Sequence, residues 1–228
     1  MDATRFVLLA AKPPSQRLTY QATVLATNPI GYWRFNDPSG TTCTALAGPN
    51  GTYVATPTLA QTGAIALDTD KSVTFNGSSQ FVDIATSPLN QTDNFSLLFW
   101  VKRGDTVDGQ VFYGIGTAVK FGTNVVQVEK AGSGILMSST TTIADTDWHC
   151  IAFTRGSAST DHQVYIDGID VSGTAYAAVG GWPNAAGEAG FMGTWGGWGF
   201  LKGSADEFAI WDRGLTPTEV AALYAAGT

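Results

Sequence analysis

"GSADEFAIWDRGLTPTEVAALYAAG", residues 203–227, spells a strand, a short turn and a capped helix in that order. Strand residues alternate between two faces, so Asp206, Phe208 and Ile210 are expected on one face and Glu207 on the other. Thr216 and Glu219 have the spacing of a capping box, Pro217 suits the first helical position, and Gly227 can end the helix. A sheet strand feeding a closing helix is therefore predicted.

Working outward, "QVYIDGIDV" (163–171) predicts a hairpin turning at Asp167-Gly168, because both residue types tolerate positive φ. "WHCIAFTR" (148–155) and "FSLLFWVK" (95–102) are apolar on both faces, which predicts interior strands covered on each side. "SVTFNGSSQFVDI" (72–84) predicts a second hairpin at Asn76-Gly77. "GYWRFND" (31–37) alternates, with Trp33, Phe35 and Asp37 on one face and Tyr32, Arg34 and Asn36 on the other. Short strands between turn signals, with 27 glycines, predict an all-β, two-sheet antiparallel sandwich. "LTYQATVLATNP" adds a short N-terminal helix from about Leu18, stopping before Pro29. The expected organisation is an N-terminal extended arm over residues 1–17, stiffened by Pro13-Pro14, and one domain over 18–228.

The chain has 228 residues, 44% of them hydrophobic and 14% charged, which predicts a globular domain with a substantial core. With 12 Lys+Arg against 19 Asp+Glu and a net charge of -7, its field repels phosphate backbones, so no nucleic-acid partner is expected. No apolar run reaches the roughly 18 residues of a membrane span. "MDATRFVLLAAKPPS" lacks the basic start and long apolar middle of a secretory signal and reads as an arm. Cys43 and Cys150 lie far apart in unlike contexts; separate reduced thiols are expected, although one disulfide is arithmetically possible.

Catalytic equipment is sparse. A retaining glycosidase needs two carboxyl groups about 5 Å apart. Glu129, Glu188, Glu207 and Glu219 are scattered, and adjacent Asp206 and Glu207 should point to opposite faces. His149 is expected to be a partly buried structural residue, and His162, in "STDHQ", a loop residue. "AGSGI" (131–135) lacks the Lys and helix of a phosphate cradle and reads as a turn. No enzymatic activity is expected. Asp206 and Asp37, each following an apolar face, need backbone N–H donors, water or a cation if buried; Ca²⁺ would satisfy both acids at once. In "GTWGGWGFLKG" (193–203), Trp195 alternates with Gly193 and Phe191 and is expected to pack on the sheet. Trp198 there, and Trp182 in "GGWPNAAG", are loop-tip aromatic rings able to stack on a sugar or anchor a protein contact.

The order of "PIGYWRFND", "GTYV", "SVTFNGSSQFVDI", "FSLLFWVK", "WHCIAFTR", "VYIDG" and the opening quotation resembles the laminin-G-like branch of the concanavalin A-like lectin/glucanase jelly rolls, over roughly residues 29–227. The resemblance implies two curved antiparallel sheets and a structural Ca²⁺ held by Asp37 and Asp206. This chain departs from the family's pattern in "TALAGPNG", where Ala45 or Leu46 stands in place of an expected Asp; the alternative is hydrogen-bonded strand-end carboxylates. "YQATVLATNPIGYWRF" is similar to the start of such domains in bacteriophage virion proteins. That implies a non-enzymatic tail or capsid-surface component, extracellular otherwise, adhering to host-surface glycans through a lectin-like module. Phe6, Val7, Leu8 and Leu9 would dock the arm onto other virion proteins or within an oligomer. The alternatives are a purely structural decoration or minor tail protein, and an accessory carbohydrate-binding domain of a secreted protein.

Overall fold

The computed structural model describes residues 19–86, 88, 94–105, 109–114, 116–130, 134–156, 161–174, 190–193 and 199–228. Helix α1 (Tyr20–Ala26) leads into short strands β1 (Gly31–Trp33), β2 (Thr42–Cys43), β3 (Ala45–Ala47), β4 (Gly51–Val54) and β5 (Thr58–Thr62). Next come β6 (Lys71–Asn76), β7 (Phe81–Ile84), β8 (Phe95–Arg103), β9 (Gly109–Gly114), β10 (Thr117–Gly122), β11 (Val125–Lys130) and β12 (Gly134–Thr142). The last third holds β13 (Trp148–Arg155), β14 (His162–Ile166), β15 (Ile169–Asp170), β16 (Gly190–Met192), β17 (Lys202–Trp211) and α2 (Pro217–Gly227).

All pairings are antiparallel, and the strands form two sheets, as the residue patterns predict. The first runs β15-β14-β13-β8-β17 and then forks. Residues 202–205 of β17 pair with β6, which also pairs with β5, while residues 208–210 pair with β1, which continues to β3. The second sheet runs β12-β11-β10-β9-β16-β7-β4-β2.

Between the sheets lies an aromatic core. Phe208 stacks on Trp33 at 5.4 Å and meets Phe112 at 5.1 Å and Phe99 at 6.3 Å, within the range of favourable ring pairs. A second apolar cluster covers the outer face of the first sheet. There Tyr20 and Val24 of α1 and Val220 and Leu223 of α2 pack over Tyr32, Leu98, Trp100 and Trp211. Trp100 stacks on Tyr224 at 5.7 Å and donates to Tyr20 Oη at 3.0 Å, and Trp211 donates to Thr27 Oγ1 at 2.9 Å. This cover explains why "FSLLFWVK" is apolar on both faces.

Local signals set the helix ends. Thr19 accepts from Ala22 N–H, so α1 starts at Tyr20, two residues after the predicted Leu18. The capping box of α2 forms as expected: Glu219 N–H donates to Thr216 Oγ1 at 3.2 Å, and Thr216 N–H donates to Glu219 Oε2 at 2.8 Å. Asp167 and Gly168, at φ 53 and 76, turn β14 into β15.

Some expectations are corrected. β6 and β7 do not form a hairpin, since β6 belongs to the first sheet and β7 to the second. Asn76 Oδ1 accepts from Ser78 and Ser79 N–H at 2.9 and 3.0 Å, so "NGSS" closes an Asx turn that carries the chain between sheets. β16 and β17 likewise lie in different sheets. The pairing of "GYWRFND" ends at Trp33, and Phe35 adopts φ 56. His162 is a buried strand residue opposite Arg155, because β14 starts earlier than the polar "STDHQ" suggests. Cys43 and Cys150 are both free and buried. Residues 131–133 of the expected "AGSGI" turn lie outside the described residues.

His149 bridges two carboxylates, Asp167 at 2.7 Å and Asp145 at 2.9 Å, and ties the approach to β13 to the β14–β15 turn. The bond to Asp167 is the main reason that its imidazole is pushed up to about 9, against the opposing effect of partial burial. A raised folded pKa means that this stabilisation is complete below the unfolded value and fades as pH rises. His149→Gln is expected to cost about 1 kcal/mol, the upper range for a partly exposed ion pair. The gap to wild type in urea unfolding should be full below pH 6.5 and close as pH passes about 9. A gap that is unchanged across this window would rule the bridge out as its source.

Candidate functional site

The fork in β17 falls at Asp206 and Glu207. On the β8 side, Asp206 pairs with Trp100 and Ala209 pairs with Leu98, so one extra residue is accommodated in β17. Glu207 takes φ 53, unusual for a residue with a side chain, and the strand bulges there. A bulge resets side-chain alternation. Ala205, Phe208 and Ile210 all face the inter-sheet core, whereas Ala209 and Trp211 face the helices.

The prediction that Asp206 and Glu207 point to opposite faces is thereby corrected. Carboxylate oxygens of Asp70, Asp206 and Glu207 all lie within 4.8 Å of one another, and all three residues are buried. The sequence does not mark this, because residues 208–211 are apolar at odd and even positions alike.

Three elements close the cluster. From the segment after β1, Arg34 donates through Nε to Glu207 Oε1 at 2.8 Å, and its Nη2 lies 2.7 Å from Asp70 Oδ2 and 3.0 Å from Asp68 Oδ2. Tyr32 Oη donates to Glu207 Oε2. From the segment before β6, Ala64 N–H donates to Asp206 Oδ2 at 2.7 Å. Gly63 permits that approach, because a Cβ there would stand 2.8 Å from Asp70 O and 3.0 Å from Asp206 Oδ2.

Charge remains unbalanced. Asp70, Asp206 and Glu207 face one partly buried guanidinium, and Asp206 Oδ1 and Asp70 Oδ1 have no hydrogen-bond partner. Burial pushes the Asp206 and Glu207 carboxyls well above the usual range, and the neighbouring Asp70 carboxyl raises both further. Either bound protons or a cation can supply the missing positive charge. Oxygens spaced up to 4.8 Å apart fit a hard cation with ligand distances of about 2.3–2.6 Å, so Asp70, Asp206 and Glu207 could hold Ca²⁺.

The two acids predicted as joint ligands are not brought together. Asp37 is outside the group and accepts from Thr44 N–H at 3.0 Å, Thr44 Oγ1 at 2.6 Å and Tyr53 Oη at 2.9 Å. It is the hydrogen-bonded carboxylate of the alternative reading. Asp70 was missed because nothing in "DTDKSV" marks it; only the chain path past Gly63 brings it to β17. Trp182, Trp195, Trp198, Phe6, Val7, Leu8 and Leu9 lie outside the described residues.

Residues 76–221 match the family described as the concanavalin A-like lectin/glucanases superfamily, of the Laminin_G_3 type. No curated protein matches. Among solved structures, Trypanosoma rangeli sialidase in complex with 2,3-difluorosialic acid is similar at 12% identity and a TM-score of 0.66. That similarity covers 87% of this chain but only 32% of the sialidase. Domain 4 of AbnA, a GH43 extracellular arabinanase from Geobacillus stearothermophilus, in complex with arabinotriose, is similar at 20% identity and a TM-score of 0.59, over 86% of this chain and 98% of that domain.

Removing Arg34 would leave buried carboxylates without their guanidinium. Arg34→Met keeps the bulk and is expected to cost about 3–5 kcal/mol in urea unfolding, the scale of a broken buried pair. Loss below 1 kcal/mol would show that Arg34 does not hold the fork.

Proposed function

The chain belongs to the concanavalin A-like lectin/glucanases superfamily, and from that membership we propose that it is a non-catalytic glycan-adhesion module of a bacteriophage virion, on the tail or capsid surface. One observation carries the choice of binding over hydrolysis. Among the described residues, the acid cluster of Asp70, Asp206 and Glu207 is buried, with Asp206 and Glu207 at 0% exposure, and is engaged by Arg34, Tyr32 and Ala64. A glycosidase acid must reach the scissile oxygen. These carboxylates serve the fold.

Three elements complete the proposal. The virion setting is supported by the likeness of "YQATVLATNPIGYWRF" to the start of phage virion domains, and Phe6, Val7, Leu8 and Leu9 dock the arm onto neighbouring virion proteins. Trp182 and Trp198 are candidate glycan contacts. A structural Ca²⁺ at Asp70, Asp206 and Glu207 supplies the missing positive charge.

Deleting residues 1–17 is expected to abolish incorporation into particles while glycan binding, read on a glycan array, persists. The same protein should release no sugar from arabinan or sialyllactose. Turnover, or failure of both forms to bind any glycan, would overturn the reading. Thermal unfolding with calcium and with a chelator tests the ion separately: at a hundredfold excess over its dissociation constant, a bound ion stabilises by about 2.7 kcal/mol. Asp206→Asn should remove that shift, and an identical midpoint with and without chelator would exclude the ion.

A further inference from the structure

Where the helices stop covering the first sheet, its outer face opens into a cleft of ≈390 Å³. Such a volume lies in the range of small-ligand sites. The floor comes from β13 and β14, where Thr154 pairs with Gln163 and Ala152 with Tyr165. One wall is the segment 214–217 that enters α2, ending at Pro217; Asp161 and Asp170 stand on the rim, both exposed.

Tyr165 is the anomaly at this floor. It is 1% exposed, and although the Thr154 hydroxyl stands near enough to act on it, its own hydroxyl makes no hydrogen bond of good geometry. Thr154 beside it donates instead to Gln163 Oε1 at 3.0 Å, and Gln163 Nε2 donates to Asp161 Oδ1 at 3.3 Å. Leaving a buried hydroxyl unpaired is unfavourable, so such a group in a binding cleft marks a place where a ligand completes the bond. Asp161 and Asp170 line the same cleft as Tyr165; burial and then the charge of Asp170 push the phenol up, against the Thr154 hydroxyl, with Asp161 adding less. Asp170 is also fixed in position, since its Oδ1 accepts from Ser172 N–H at 2.9 Å and Ser172 Oγ at 2.6 Å. Asp161 is seated by Gly156, whose N–H donates to Asp161 O at 2.7 Å and whose missing Cβ would lie 1.9 Å from Asp161 Oδ2.

We propose that this cleft is a binding site for a neutral saccharide unit, with the Tyr165 hydroxyl, Gln163, Asp161 and Asp170 taking its hydroxyl groups and Pro217 meeting its C–H face. The class follows from the chemistry. Sugar hydroxyls both donate and accept, so they match paired carboxylates, an amide and an unpaired phenol. No Lys or Arg lines the cleft among the described residues, and two acids there repel carboxylated sugars. The proposal invokes residues other than Trp182 and Trp198 and rests on the glycan-binding reading.

Titration calorimetry of the full chain tests it, with a panel of neutral pentose and hexose oligosaccharides and the same panel capped with sialic acid. Tyr165→Phe and Asp170→Asn are each expected to weaken neutral-sugar binding about tenfold, the scale of one lost hydrogen bond to a buried or charged partner. Tyr165→Phe should leave the unfolding midpoint unchanged or higher, because it deletes a buried hydroxyl that makes no hydrogen bond of good geometry in the free protein. Wild-type binding that survives both substitutions but is lost in Trp198→Ala would overturn the cleft while sparing the adhesion reading. Tighter binding of the sialylated panel would overturn the ligand class, and no binding by wild type would overturn cleft and adhesion together.

Discussion

The fold depends on how one strand changes partners. β17 pairs with β8 along one side, but on its other side it hands over from β6 to β1 between Ala205 and Phe208. A gap in a buried sheet would leave polar backbone unpaired. The bulge at Glu207 turns two carboxylates toward the gap, and Arg34, Tyr32 and Ala64 meet them there. Buried ion pairs are poor sources of net stability but strong penalties when broken, so this cluster specifies where the strands part more than it strengthens the domain.

The same region determines what each face of the first sheet is available for. Inward, Phe208 anchors the ring stack that joins the two sheets. Outward, Trp100 and Trp211 receive the helices, which hide the acids from solvent. The helical cover reaches Tyr165 of β14 and, through Tyr224, the turn at Gly168, and the polar cleft opens beside the segment that enters α2. Burial of the carboxylates and openness of the cleft are thus two results of one helix placement.

The sequence was informative wherever a feature is local. Asp167-Gly168 identified a hairpin, Thr216 and Glu219 a helix start, and the two-sided apolarity of residues 95–102 an interior strand. Legibility failed where geometry depends on distant chain. Asn76-Gly77 carries a hairpin's dipeptide, yet its flanking strands find partners in different sheets. No residue at 207 has the conformational freedom that advertises a bulge, and Asp70 reaches β17 only through tertiary folding. Tyr165 looked like an ordinary strand residue, because its unpaired hydroxyl emerges only after Thr154 and Gln163 have bonded to each other.

The packing of α1 against α2 has an architectural consequence. Gly227 sits so near Tyr20 that an added Cβ would come within 3.2 Å of the tyrosine ring, and Gly227 O accepts from Ala66 N–H at 2.9 Å. The start of the first helix and the end of the last therefore emerge side by side. A domain with adjoining entry and exit points can be spliced into a surface loop of a host protein through short connectors, without prying that loop apart.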